Sequence, residues 1–250
     1  MILRALVASA AMLAVAGGCT ESPVQVTPTA FVPLSDNFHG PDELILSEFN
    51  HPDTVAQRDD NWDVTSGSLY RSNDTGWTGR LDKRSKMATD SQVFRMVSVR
   101  RDFGDVTMSL RLRVNDMVES NGTPAQDFDG AHIWLRYTGE TSLYAISVDR
   151  RDGAMVIKKK CVGGTDNGGT YYDLVPLNTD NPIRMGQWES IVATVRNMPD
   201  GTVKVTGDRD GTHVEAVDSG QGCAPITGTG GVGIRGDNAE LQFTDIEVGQ

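Results

Sequence analysis

Several things are scarce in this chain, and each scarcity excludes something. There are only three cysteines in 250 residues, too few for a disulfide-dense scaffold or a zinc framework. Four scattered histidines add no metal-ligand spacing. Aromatic residues make up 6% of the chain, so each ring needs a reason for its position. Basic residues are outnumbered: 23 Lys and Arg face 34 Asp and Glu, giving a formal net charge of −11. That balance argues against nucleic acid as a partner, because phosphate binding needs a dominant basic field. After the first twenty residues no apolar run is long enough to cross a membrane as a helix. Helical periodicity is nearly absent as well.

The N-terminus carries the one long apolar run. Met1 and Arg4 precede Leu6 to Ala16, which is too short for a stable transmembrane span. Ala16-Gly17-Gly18 then stand directly before Cys19. This arrangement resembles the lipobox of bacterial lipoprotein precursors. The resemblance implies a signal peptide over 1–18, lipidation at Cys19, and a membrane anchor in the bacterial cell envelope with the rest of the chain extracytoplasmic. Residues 19–34 are rich in Thr and Pro and read as a flexible tether. With Cys19 lipidated, Cys161 and Cys223 remain as an even pair in an oxidising compartment, and a disulfide is expected between them.

Residues 35–248 have a uniform texture and read as one domain. Short alternating runs are separated by Gly, Asp and Asn. Val93–Arg100, Val106–Val114, the block Ala131–Lys160, Trp188–Val195 and Val203–Thr206 all read as strands. Pro199-Asp-Gly and Asp210-Gly are hairpin turns. Arg235-Gly-Asp is expected in the last turn. Twelve or so strands without helices predict an all-β fold, a two-sheet antiparallel sandwich.

Four motifs sharpen that expectation. They are Ser35-Asp-Asn-Phe, Trp62-Asp-Val-Thr-Ser-Gly-Ser-Leu, a Gly-Gln-Trp188 strand before an Asp-Gly hairpin, and Gly-Val-Gly-Ile-Arg followed by Phe243-Thr-Asp-Ile-Glu-Val. Together they resemble the concanavalin A-like (LamG-like) jelly roll over nearly all of 35–248. That family includes lectins, carbohydrate-binding modules, glycoside hydrolases and polysaccharide lyases, so the resemblance implies a fold more firmly than an activity. It also implies a structural calcium between the first and last strands, with Asp36 and Asp245 at the matching positions. No other cofactor is required.

The candidate recognition surface lies in Asp129–Lys160. Alternation places Ile133, Leu135 and Tyr137 on one face and His132, Trp134 and Arg136 on the other. Arg111 and Arg113 alternate away from the apolar side of their own strand and are expected beside them. Lys158 or Lys160 and Tyr144 are further candidates. Lys158-Lys-Lys alternates faces, so it is not a one-sided basic patch. Rings stack on sugar faces, and arginines bond hydroxyls or pair with carboxylates. The expected function is therefore a surface-anchored, lectin-like lipoprotein that binds an anionic or cell-wall polysaccharide. The alternative is a polysaccharide lyase or glycoside hydrolase acting on a uronate-containing glycan, with His132, Tyr144 and Arg136 as candidate catalytic groups. Asp127 and Asp129 sit at a loop-to-strand junction and read as turn caps. The laminarinase-type and alginate-lyase motifs are missing, so no family catalytic residue transfers. A third reading is an adhesive envelope protein with a flat exposed sheet.

Overall fold

The computed structural model describes residues 31–48, 59–80 and 92–250. The expected signal peptide, Cys19 and nearly all of the expected tether lie outside the described residues. Among the described residues there is no helix; all regular structure is strand.

Among the described residues sixteen strands form two antiparallel sheets. The nine-stranded sheet runs β14 (Thr212–Asp218), β13 (Val203–Arg209), β12 (Glu189–Asn197), β7 (Val106–Met117), β16 (Ala239–Gly249), β5 (Gly76–Trp77), β4 (Ser68–Arg71), β2 (Glu43–Ser47), with β1 (Leu34–Asp36) also on β16. The seven-stranded sheet runs β11 (Gly169–Asp173), β10 (Val156–Asp166), β9 (Ser142–Arg150), β8 (Gly130–Gly139), β15 (Gly231–Asp237), β6 (Val93–Ser98), β3 (Trp62–Ser66).

Alternation explains how the sheets pack. On β7, Val106, Met108, Leu110, Leu112 and Val114 are buried, while the residues between them are exposed or half-buried. Ile133, Leu135, Ile146 and Val148 face them from the other sheet. A Cβ at Gly207 of β13 would stand 2.5 Å from Ile146 Cγ2, so the missing side chain lets the two sheets approach. Phe243 of β16 packs edge-on to Phe38 and beside Phe94, with ring centroids 5.4 and 5.9 Å apart. Truncating such a buried ring to alanine costs about 3–5 kcal/mol.

The Pro199-Asp-Gly and Asp210-Gly hairpins form as expected, joining β12 to β13 and β13 to β14. The last turn does not fall on Arg235-Gly-Asp. Those residues lie within β15, paired to β6 and β8. The chain passes from one sheet to the other at Asn238, whose φ is 46°. Strand geometry therefore puts Arg235 and Asp237 on the same face, two residues apart.

Cys161 and Cys223 form the expected disulfide, 62 residues apart, tying β10 to the segment after β14. In the chain-entropy picture a loop of that length contributes about 4 kcal/mol.

Candidate functional site

A groove of about 430 Å³ lies on the face of the seven-stranded sheet turned away from the nine-stranded one. Register builds it. Lys160 opposes Tyr171, Lys158 opposes Ala145, and Ala145 opposes Trp134. One row along, Ser147 opposes His132, which opposes Arg235, which opposes Arg95. Phe128, 43% exposed, stands at its rim.

The alternation expected for β8 breaks at its end. Arg136 has φ 51°, and the pairing slips between Leu135 and Gly139. Tyr137 consequently returns to the side of Trp134; the two rings stack 5.4 Å apart and 5° from parallel. Both pack with Val97, Leu143 and Ala145 in a small apolar cluster beneath Tyr171. Trp134 is 1% exposed. It is a floor residue, not the open platform expected.

The same irregularity removes Arg136 from the groove. Its guanidinium is fully buried and donates to Asn197 Oδ1 at 2.7 Å, Asp105 Oδ1 at 2.8 Å and the Ile226 carbonyl. Tyr144 also points away. Its hydroxyl donates to Asp218 Oδ2 at 2.6 Å and accepts from the Ile226 amide. Burial, and then Asp218, push the phenol well above its ordinary value. These two candidates are structural groups on the inner side of the sheet. Arg111 and Arg113 belong to the nine-stranded sheet. They lie over the Trp188 ring at 5.5 and 4.8 Å, with Arg113 Nε donating to Gln242 Oε1 at 2.9 Å. The thickness of the sandwich separates them from the groove.

His132, Trp134 and both candidate lysines, Lys158 and Lys160, do come together, joined by groups that strand pattern alone did not select: Tyr171, Arg235, Asp237, Ser147 and Phe128. The signal for Arg235 and Asp237 was their period-two spacing, obscured by reading the tripeptide as a turn. Arg235 grips Asp237 with two hydrogen bonds of 2.6 and 2.7 Å. Burial pushes the Asp237 carboxyl up, but Arg235 and His132 outweigh it and hold it well below the usual carboxylate range. Burial lowers the His132 imidazole, against the pull of Asp237. Its Nδ1 shares a 2.8 Å hydrogen bond with Ser147 Oγ. Its Nε2 is 3.3 Å from Asp237 Oδ2 but misaligned for a hydrogen bond. Burial also lowers Lys160, helped by Arg235 and Arg95.

The charged lining holds four cations, Arg150, Lys158, Lys160 and Arg235, against two carboxylates, Asp166 and Asp237. In a protein this acidic, the groove is a local basic site. The lining atoms that are buried without a hydrogen-bond partner are Trp134 Nε1, His132 Nε2 and Arg150 Nη1. Trp134 Nε1 and Arg150 Nη1 are donors only, whereas His132 Nε2 donates or accepts according to its tautomer. A ligand that supplies acceptors completes the first two; one that supplies only donors does not.

The structure does not gather Asp36 and Asp245 into one cluster of metal-ligating groups among the described residues. Their strands adjoin as expected, Asp36 opposing Ile246. However, Asp36 accepts from Trp62 Nε1 and the Phe38 amide, each at 2.8 Å, and Asp245 is solvent-exposed at a bulge. Asp36 instead shares a pocket with Asp59 and Asp60, and among the described residues no group of three or more acids, imidazoles or thiols is placed to hold a metal ion, whereas calcium takes six to eight oxygens. Asp129 caps a turn, accepting from the Gln126 amide at 2.8 Å.

Among solved structures the chain resembles a carbohydrate-binding module from Bacillus subtilis, with TM-score 0.52 and 11% identity over 76% of this chain and 96% of the module. It also resembles a structure from work on endo-acting O-glycanases that prominent members of the human gut microbiota express to initiate mucin breakdown, with TM-score 0.55 and 9% identity over 86% and 97%. The fold is a concanavalin A-like jelly roll. No family model and no curated protein matches the chain. At these identities the jelly roll speaks for architecture, and the groove must speak for chemistry.

Proposed function

We propose that the groove binds an acidic carbohydrate and that the protein is a lectin-like lipoprotein held at the bacterial envelope through Cys19. The observation that carries this reading is the groove's surplus of cations and unpartnered N–H donors in an otherwise acidic protein. Phe128 adds an exposed ring at the rim, which suits the apolar face of a sugar. The Cys161–Cys223 bridge supports an extracytoplasmic location. A glycan array containing matched neutral and acidic polysaccharides tests the reading. Acidic glycans are expected to bind, and Phe128→Ala, at an exposed position, is expected to weaken binding without lowering the melting temperature. Absence of any glycan binding by the full chain sinks it.

A second reading, a uronate-specific lyase, is favoured by one observation: His132 faces the groove between Ser147 and Asp237, the position a proton-abstracting base would need. It predicts new ultraviolet absorbance from unsaturated uronate ends, abolished by His132→Ala. Binding without such absorbance removes this reading and leaves the first intact.

A further inference from the structure

Two adjacent lysines act as an internal control. Lys159 and Lys160 lie on opposite sides of β10, 0% and 1% exposed. An ammonium taken out of water requires compensating acceptors. Lys159 has them within the fold: its Nζ donates to Asp218 Oδ1 at 2.8 Å and to the Cys223 carbonyl at 2.5 Å. Lys160 does not. Among the described residues its Nζ has neither a carboxylate in salt-bridge range nor a hydrogen bond; it rests 4.8 Å from the centre of the Tyr171 ring.

The other groove cations are already matched. Lys158 pairs with Asp173 at 3.1 Å, Arg150 with Asp152 at 2.6 Å, and Arg235 with Asp237. Arg95, beside Arg235, pairs with Glu140 at 2.9 Å. Lys160 is thus the cation of the groove left without an acid. Its stem crosses Gly169, where a Cβ would stand 2.6 Å from Lys160 Cε, so the β10–β11 hairpin leaves room for it. Nearby, Arg235 lies 5.8 Å from the centre of the Trp134 ring and bonds the Tyr171 hydroxyl at 3.4 Å, and the buried Trp134 Nε1 has no acceptor.

We propose that Lys160 and Trp134 Nε1 form a subsite for one anionic substituent of a sugar, a carboxylate or a sulfate ester, which supplies the acceptors the fold withholds. This rests on the carbohydrate reading above and narrows it. Recognition is of a single seated charge, not of a polyanion sliding over a basic surface.

The test uses the full chain and oligosaccharides of glucuronate, galacturonate and mannuronate. Each is titrated calorimetrically beside its carboxyl-reduced counterpart and a sulfate ester of that neutral sugar. An anionic form is expected to bind at least about tenfold more tightly than the neutral one. Whether carboxylate or sulfate gives the gain assigns the source of the charge. Lys160→Met is expected to erase the gain while weak affinity for the neutral sugar persists, and Lys160→Arg to keep much of it. The melting temperature of Lys160→Met is expected to be no lower than that of the wild type. A marked drop would make Lys160 structural and overturn the subsite. Equal binding of neutral and anionic forms, or a gain that survives Lys160→Met, overturns the subsite and leaves the carbohydrate reading standing. No binding of any form overturns both. Should Lys160→Met not fold, Trp134→Phe carries the same comparison.

Discussion

The two sheets each carry a tryptophan with arginine over its ring, two on Trp188 and one on Trp134, and the two arrangements differ in what is left over. On the nine-stranded sheet, Arg111 and Arg113 lie over Trp188, and Arg113 is bonded to Gln242. On the seven-stranded sheet, Arg235 lies over Trp134 and is bonded to Asp237, yet among the described residues Lys160 has no acid and Trp134 Nε1 no acceptor. Composition cannot tell these faces apart. Hydrogen-bond accounting can, because a buried donor without an acceptor is costly and is retained where a ligand completes it.

The contrast breaks most visibly at the arginines. Arg235→Met leaves the Asp237 carboxylate buried without its two-pronged partner. A loss of about 3–5 kcal/mol in denaturant unfolding is expected, together with loss of glycan binding. Arg235→Met combined with Asp237→Leu should recover most of the stability and none of the binding. Arg113→Met, on the opposite sheet, should cost less than about 1 kcal/mol and leave binding unchanged. Loss of glycan binding in Arg113→Met would show that the wrong face has been chosen.

A second contrast lies between buried carboxyls. Asp237 is held ionised by Arg235. Asp149 is pushed up to about 7 by burial and by the neighbouring Glu189, against the pull of Arg209. Asp149 Oδ2 and Glu189 Oε2 are both buried without a donor, as expected where a proton is shared between two acids. The signs are opposite. Between about pH 4 and 7 the unfolded chain ionises at position 149 while the native state keeps its proton, so stability falls as pH rises, by up to about 4 kcal/mol. Below about pH 4 the unfolded chain takes a proton that native Asp237 refuses, so stability falls as pH drops. Melting temperature should therefore peak at mildly acidic pH, and Asp149→Asn should flatten the descent toward pH 8. A wild-type melting temperature that climbs steadily from pH 4 to 8 would exclude the shared proton.

The architecture was legible in the sequence because it rests on period-two alternation and turn chemistry, both local. Val106–Val114 reads correctly residue by residue, and so do the Asp-Gly hairpins. The cysteine pair was legible through parity. The site was legible only in part. His132 and Trp134 were placed on the right strand, but one residue of left-handed backbone at Arg136 resets the alternation beyond it, and no propensity marks that bulge in an Arg-Tyr step. Alternation turns Arg111 and Arg113 away from the core correctly, but which sheet a strand joins is decided by long-range pairing, and theirs is not the sheet of the groove. Lys160 was ambiguous for a related reason: Lys158, Lys159 and Lys160 are identical in type, and only their partners distinguish them.

The finest test of the two faces exchanges one ring atom set for another. Trp134→Phe keeps an aromatic ring against Tyr137 and deletes Nε1, the buried donor without an acceptor. Removing an unsatisfied polar group offsets much of the lost ring area, so stability should change by less than about 1 kcal/mol. A hydrogen bond to an ionised group contributes roughly 1.5–3 kcal/mol, so affinity for an anionic glycan should fall about tenfold or more, while affinity for its neutral counterpart stays level. Trp188→Phe removes an indole from the other sheet and should move neither affinity. If both substitutions weaken binding equally, the unpartnered nitrogen has no special standing, and the distinction between the faces rests on the groove's cations alone.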